Sequence, residues 1–183
     1  MKLLRTLHAW AGAILALLVM VEGLTGALLV LKPDYLRLVF PEARTSVAAS
    51  PQVLGAAAEA IEKAHGGHLQ RMVFAGPQLG LHQVFLMHYG YAYAAADGRM
   101  VAQWSGSGRP ETFVYNLHHF LLMDETGMKI AGWGALAACV VALVGLIVWS
   151  PVWKRFRPIP WPTSTKRRDL IAGHRNLGVL FVL

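Results

Sequence analysis

The chain has 183 residues, 55% of them hydrophobic, a formal net charge of +7 and one cysteine, Cys139. A lone cysteine excludes a disulfide framework. The basic excess excludes nucleic acid as the natural partner, because it is confined to two places. Lys2 and Arg5 precede the first apolar run, and Lys154, Arg155, Arg157, Lys166, Arg167, Arg168 and Arg175 follow the second, whereas Lys32 to Lys129 carries eight basic and eight acidic residues. Lys and Arg gathered at chain-distant membrane edges follow the positive-inside pattern. It predicts a cytoplasmic N-terminus, a cytoplasmic loop after the second run, and an extracytoplasmic segment between the runs.

Residues 1–32 are predicted to form transmembrane helix 1. The apolar stretch Leu7 to Leu31 would reach roughly 37 Å at about 1.5 Å per residue, enough to cross a lipid bilayer with some tilt. It is too long for a signal peptide and lacks a closing cleavage site, so it reads as an uncleaved anchor. His8 and Glu22 interrupt it. Ionisable groups at such depth face a protein interior, a cofactor or a water-filled cavity. Gly12, Gly23 and Gly26 would let another helix or a flat cofactor approach.

Residues 33–111 are expected to form an extracytoplasmic α+β domain. Lys32-Pro33-Asp34 ends the span, and 33–49 reads as a connector. Ser50-Pro51 opens a helix through about Ala64 with Val53, Leu54, Ala57, Ala60 and Ile61 on one face, and Gly66-Gly67 stops it. Gln70–Phe74, Leu81–Met87, Tyr91–Ala95 and Arg99–Trp104 are strand-like, with Asp97-Gly98 as a hairpin turn. Residues 105–111 (SGSGRPE) read as a linker.

Residues 112–127 are expected to be an interfacial helix, Thr112–Met123, followed by the turn Asp124 to Gly127. Residues 128–150 form transmembrane helix 2, whose charge-free core is one bilayer long. Residues 151–169 are a basic cytoplasmic loop, with Ser150-Pro151 ending the span and Trp133, Trp149 and Trp153 in interfacial belts. Residues 170–183 begin a third helix about half the length of a span, and the chain reads as truncated there. The fold class is therefore a membrane α-helical bundle, two complete spans plus the start of a third, with an inserted small α+β domain.

Two helix starts share His-x-x-x-Gly: His8 with Gly12, and His174 with Gly178. Both follow basic residues and lead into apolar runs, so the two histidines are expected at one depth on the cytoplasmic side. Two facing imidazoles with a glycine one turn deeper are what a haem b requires. Two unrelated interfacial histidines are the plainer alternative. His118 and His119 are adjacent on the short helix, where only one can face a given cofactor; a second haem near the outer face would need its other ligand from beyond Leu183. For Glu22, a proton relay, a contact to a cofactor propionate and a hydrogen bond to a neighbouring helix are all open. His65 and His68 read as a solvated turn, and His82 and His88 share a strand face by parity.

LHAWAGAILALLVMVEGLTGALLVL, NLHHFLLMDETGMKIAGWGALAACVVALVGLIVWSP and RRDLIAGHRNLG resemble the PepSY-associated transmembrane proteins, bacterial inner-membrane proteins that include ferric-siderophore reductases. AAAEAIEKA followed by YAYAAADGRMVAQW resembles the PepSY module itself, with its usual Asp-x-x-Gly turn shortened to Asp97-Gly98. The resemblance implies a multi-pass b-type cytochrome that takes electrons from a cytoplasmic-side donor and reduces periplasmic ferric siderophores or other ferric chelates. It implies haem-ligand roles for His8, His118 and His174, and ranks His119 below His118, because the family position holds Arg or another polar residue. The competing reading is a non-catalytic, membrane-tethered PepSY module that binds or inhibits a periplasmic protease or another envelope partner.

Overall fold

The computed structural model describes residues 2–47, 50–88, 90–149, 162 and 164–182. The Ser150-Pro151 stop, Trp153 and most of the expected basic loop lie outside the described residues. The chain divides into two compact units, Met1–Gly23 with Met123–Leu183, and Leu24–Leu122. The first helix, α1 (Lys2–Val30), contributes to both.

In the first unit α1 runs beside α5 (Asp124–Trp149), and α6 (Arg167–Val182) packs on α5. The pairing of α1 with α5 is antiparallel, and the glycines give its register. A Cβ at Gly12 would stand 3.9 Å from Val141 Cγ1, one at Gly134 would collide with Leu18, and one at Gly145 would stand 3.0 Å from His8 Cε1. Small residues at such crossings let helix backbones approach where no side chain intervenes. Both α1 and α5 are long and apolar enough to cross a membrane. Their outer side chains stay bare, with Ile14 75% and Trp133 72% exposed. Soluble monomers rarely leave so much contiguous apolar surface uncovered.

Asp124 to Gly127, expected as a turn, form the first turn of α5, where Asp124 and Glu125 complement the helix dipole. The break lies at Leu121 and Leu122, before α5, and at Asp124, its first residue, with φ values of 48°, 58° and 51°.

In the second unit, Ser50 Oγ accepts the Val53 N–H at 3.3 Å to cap α3 (Pro51–His65), and Gly66 ends it in the left-handed region. Four antiparallel strands follow as a meander in the order β1-β2-β3-β4: Leu69–Val73, His82–Leu86, Gly90–Ala94 and Met100–Ser105. Ala57 and Ile61 of α3 are buried, while Val53 and Ala60 of the expected face are exposed. On one sheet face Val84, Leu86, Ala92 and Ala94 form a core with Ile61. At the Asp97-Gly98 turn, Gly98 has φ 84° and approaches α3 so closely that a Cβ would lie 2.8 Å from the Ala57 carbonyl oxygen.

The other sheet face is also covered. The residues expected as a connector form α2 (Lys32–Val39), with Pro33 in its first turn, and a 3₁₀ turn, Pro41–Arg44. Leu36 and Ala43 bury themselves against Leu81 and Tyr93, with Phe40 and Trp104 alongside. The expected linker is structural too. Arg109 precedes α4 (Pro110–Phe120), and Glu111 is 5% exposed. Tyr93 Oη donates to Glu111 Oε1 at 3.2 Å, Arg109 Nε donates to the same oxygen at 2.5 Å, and Trp104 Nε1 donates to Thr112 Oγ1 at 3.0 Å. The aromatic residues of β3 and β4 make this second layer necessary, since both sheet faces are apolar.

Candidate functional site

Among the described residues no group of three or more His, Cys, Asp or Glu gathers as a metal site. The histidines of interest occur instead against helix backbones. In the first unit the His8 and His174 rings stand 6.1 Å apart, centre to centre, at 55°. His8 Nδ1 lies 3.1 Å from the Val141 carbonyl oxygen. A carbonyl only accepts, so Nδ1 carries the proton, and in the neutral ring Nε2 keeps its lone pair. Gly145, one turn along α5, explains the access. A helical carbonyl points toward the residue four places on, and with no Cβ at 145 the His8 ring can reach it.

The second unit repeats this arrangement around His118. Its Nδ1 lies 3.0 Å from Thr25 Oγ1, and a Cβ at Gly26 would stand 3.2 Å from its Cε1. Thr25 is buried and His118 half-buried. In each case an oxygen on another helix holds Nδ1 and a glycine lies under Cε1. Val141, Gly145 and Thr25 are the residues that sequence reasoning missed; Gly26 was expected to admit a close approach, and it is the His118 ring that makes it. The spacings, 133 and 93 residues, carry no local signal.

The other expected residues fall as follows. His119 is exposed and packs on Tyr115 at 4.4 Å between ring centres. Gly12 makes only an ordinary contact with Val141, and a Cβ at Gly178 would meet nothing within 4 Å. Glu22 is half-buried on α1. His65 Nε2 lies 3.1 Å from Met100 Sδ.

His82 and His88 do not share a face: β2 stops at Leu86, and His88 sits in a turn at φ 59°. His82 is fully buried, accepts the Ala75 N–H on Nδ1 at 3.0 Å and faces the Ala96 carbonyl with Nε2 at 3.4 Å. Burial pushes its pKa below the usual histidine value, against the opposing pull of the Ala96 carbonyl and Asp97. Burial, reinforced by the neighbouring Glu111 carboxylate, raises the Tyr93 phenol far above its usual range.

A family model described as the PepSY-associated TM region matches residues 5–183. The chain belongs to the PepSY-associated TM family. No curated protein and no solved structure matches it. Family membership and two candidate spans make this PepSY-associated protein a membrane protein.

A haem can be tested against the donor set. An imidazole nitrogen ligates a first-row metal at about 2 Å and stands about 1 Å from its own ring centre, so two imidazoles that shared one metal would have centres no more than roughly 6 Å apart. The 6.1 Å between His8 and His174 fits that spacing. Metal-binding histidines also characteristically donate their other ring nitrogen to a carbonyl, as His8 does to Val141.

Proposed function

We propose that this PepSY-associated protein is an inner-membrane b-type cytochrome. In this reading His8 and His174 hold one haem b and His118 contributes to a second. The group supplies a one-electron couple, and the function is passage of electrons from a cytoplasmic-side donor to periplasmic ferric siderophores or other ferric chelates. The domain limits expected from sequence belong to the same proposal, as do the cytoplasmic N-terminus, the third span and the periplasmic placement of the α+β domain.

The observation that carries this reading is the His8 setting. Its Nδ1–H is committed to the Val141 carbonyl, which fixes the tautomer, and the His174 ring stands 6.1 Å away, so the two imidazoles would be the residues to hold the group. Gly145 leaves the Val141 carbonyl accessible to the His8 ring. Thr25 and Gly26 do the corresponding work for His118. Glu22 is a candidate polar contact for a propionate. Held by two histidines, the group would supply electron transfer rather than oxygen binding.

The test is redox titration of detergent-purified protein. Dithionite-reduced protein should show a b-type spectrum, and anaerobic ferric citrate should reoxidise it. Protein purified from haem-replete cells without bound haem would overturn the reading in favour of a PepSY module that binds an envelope partner.

A further inference from the structure

The second unit contains a cavity of about 160 Å³ between the sheet and the helices that cover its second face. Lys32 and Arg71 line it, together with Gln83 and the rings of Phe85, Tyr91, Trp104 and Tyr115. Neither cation belongs to the histidine sites above.

We propose that this cavity binds a carboxylate carried on a flat apolar group, with the anion at Lys32 and Arg71 and the flat group against the rings. The cation supply comes first. Lys32 Nζ donates to Gln83 Oε1 at 2.6 Å, a neutral amide. An ammonium has three donors, and a half-buried one gains most from a charged acceptor. The nearby carboxylate, Glu111, accepts from Arg109 and Tyr93 through Oε1, its buried Oε2 has no hydrogen-bond partner among the described residues, and Arg109 balances its charge. Lys32 and Arg71 therefore leave the cavity electropositive. The cost of holding Lys32 there shows as a pKa lowered by burial, against the opposing pull of Glu111.

The walls select the carrier. Tyr91 and Trp104 are stacked at 15° with ring centres 5.9 Å apart, and the Arg71 guanidinium lies 4.1 Å from the Phe85 ring centre. Ring faces and a guanidinium plane favour a planar partner. Size sets a ceiling: drug-sized ligands occupy roughly 300–1,000 Å³, so this cavity takes a benzoate-sized acid or the acidic end of something larger. A small inorganic anion would leave the rings unused.

The experiment is ¹⁹F NMR on the whole chain in detergent, with 4-fluorobenzoate as probe, 4-fluorobenzamide to remove the charge and trifluoroacetate to remove the ring. The expected result is saturable binding of 4-fluorobenzoate, with both controls at least about tenfold weaker. Lys32→Met should weaken the benzoate at least about tenfold, and Lys32→Arg should restore part of it. Arg71→Gln, at an exposed position that leaves the core alone, should also weaken it. Equal binding of benzoate and benzamide, unchanged binding in Lys32→Met, or no saturable binding of benzoate would each overturn the proposal. None of these readings depends on haem content.

Discussion

At the scale of single residues, the arrangement around the histidine rings decides what each can do. His82 is the clearest case outside the membrane. Its Nδ1 must remain unprotonated to accept the Ala75 N–H. Its folded-state pKa is below the ordinary value of about 6.5. Between that lowered value and 6.5 the unfolded chain binds the proton and the folded chain does not, so stability falls as pH drops below about 6.5 and levels off below the folded pKa. Chemical denaturation at pH 7.5 and 5.0 should show this loss, and His82→Gln should reduce the pH dependence while costing about 1–3 kcal/mol at neutral pH for the disturbed buried hydrogen bonds. Gly145 makes the corresponding prediction in the first unit. Gly145→Val should displace the His8 ring and, under the proposed function, lower haem content, whereas Gly178→Ala, which meets no neighbour, should be tolerated by the helix packing itself. Pyridine haemochrome assay of the two variants checks this.

At the scale of elements, local chemistry was legible and long-range chemistry was not. Ser50, Pro51 and Gly66 bound α3 because caps and turns depend on residues a few places apart. Asp97-Gly98 was legible as a turn for the same reason: Asp97 Oδ1 accepts the Arg99 N–H at 3.0 Å. Its packing on α3 was not, because that depends on a backbone carbonyl 41 positions away in the chain, at Ala57. Gly98→Ala should therefore cost more than the roughly 1–2 kcal/mol of a left-handed non-glycine residue, since a Cβ also meets Ala57. Urea denaturation measures it. The linker reading of SGSGRPE failed on Arg109 and Glu111. Polar residues beside Gly and Pro suggest solvent, yet Tyr93 and Trp104 supply partners that bury them. The 33–49 connector failed similarly, because one residue, Leu36, gives α2 its buried anchor.

At the scale of the whole molecule, the two long helices and the α+β unit follow from hydropathy, strand patterning and the family. The histidine pairing could be expected only as matched motifs. The sequence motif put the glycine on the histidine's own helix, at Gly12, while the contact glycine Gly145 is on α5. Orientation rests on the charge asymmetry and has its own test. In a Cys139→Ala background, an impermeant thiol reagent on spheroplasts should label Ser107→Cys and not Ser164→Cys. The reverse pattern would invert the topology.

The central claim is that His8 and His174 ligate one haem. Its most direct test is the reduced-minus-oxidised spectrum, with haem content per chain, of the purified protein beside His8→Ala and His174→Ala. The claim predicts that each variant loses the same component, with the same band positions missing from both, while His65→Ala keeps the parent spectrum. An His8→Ala protein with unchanged haem content and an unchanged reduced spectrum would contradict it.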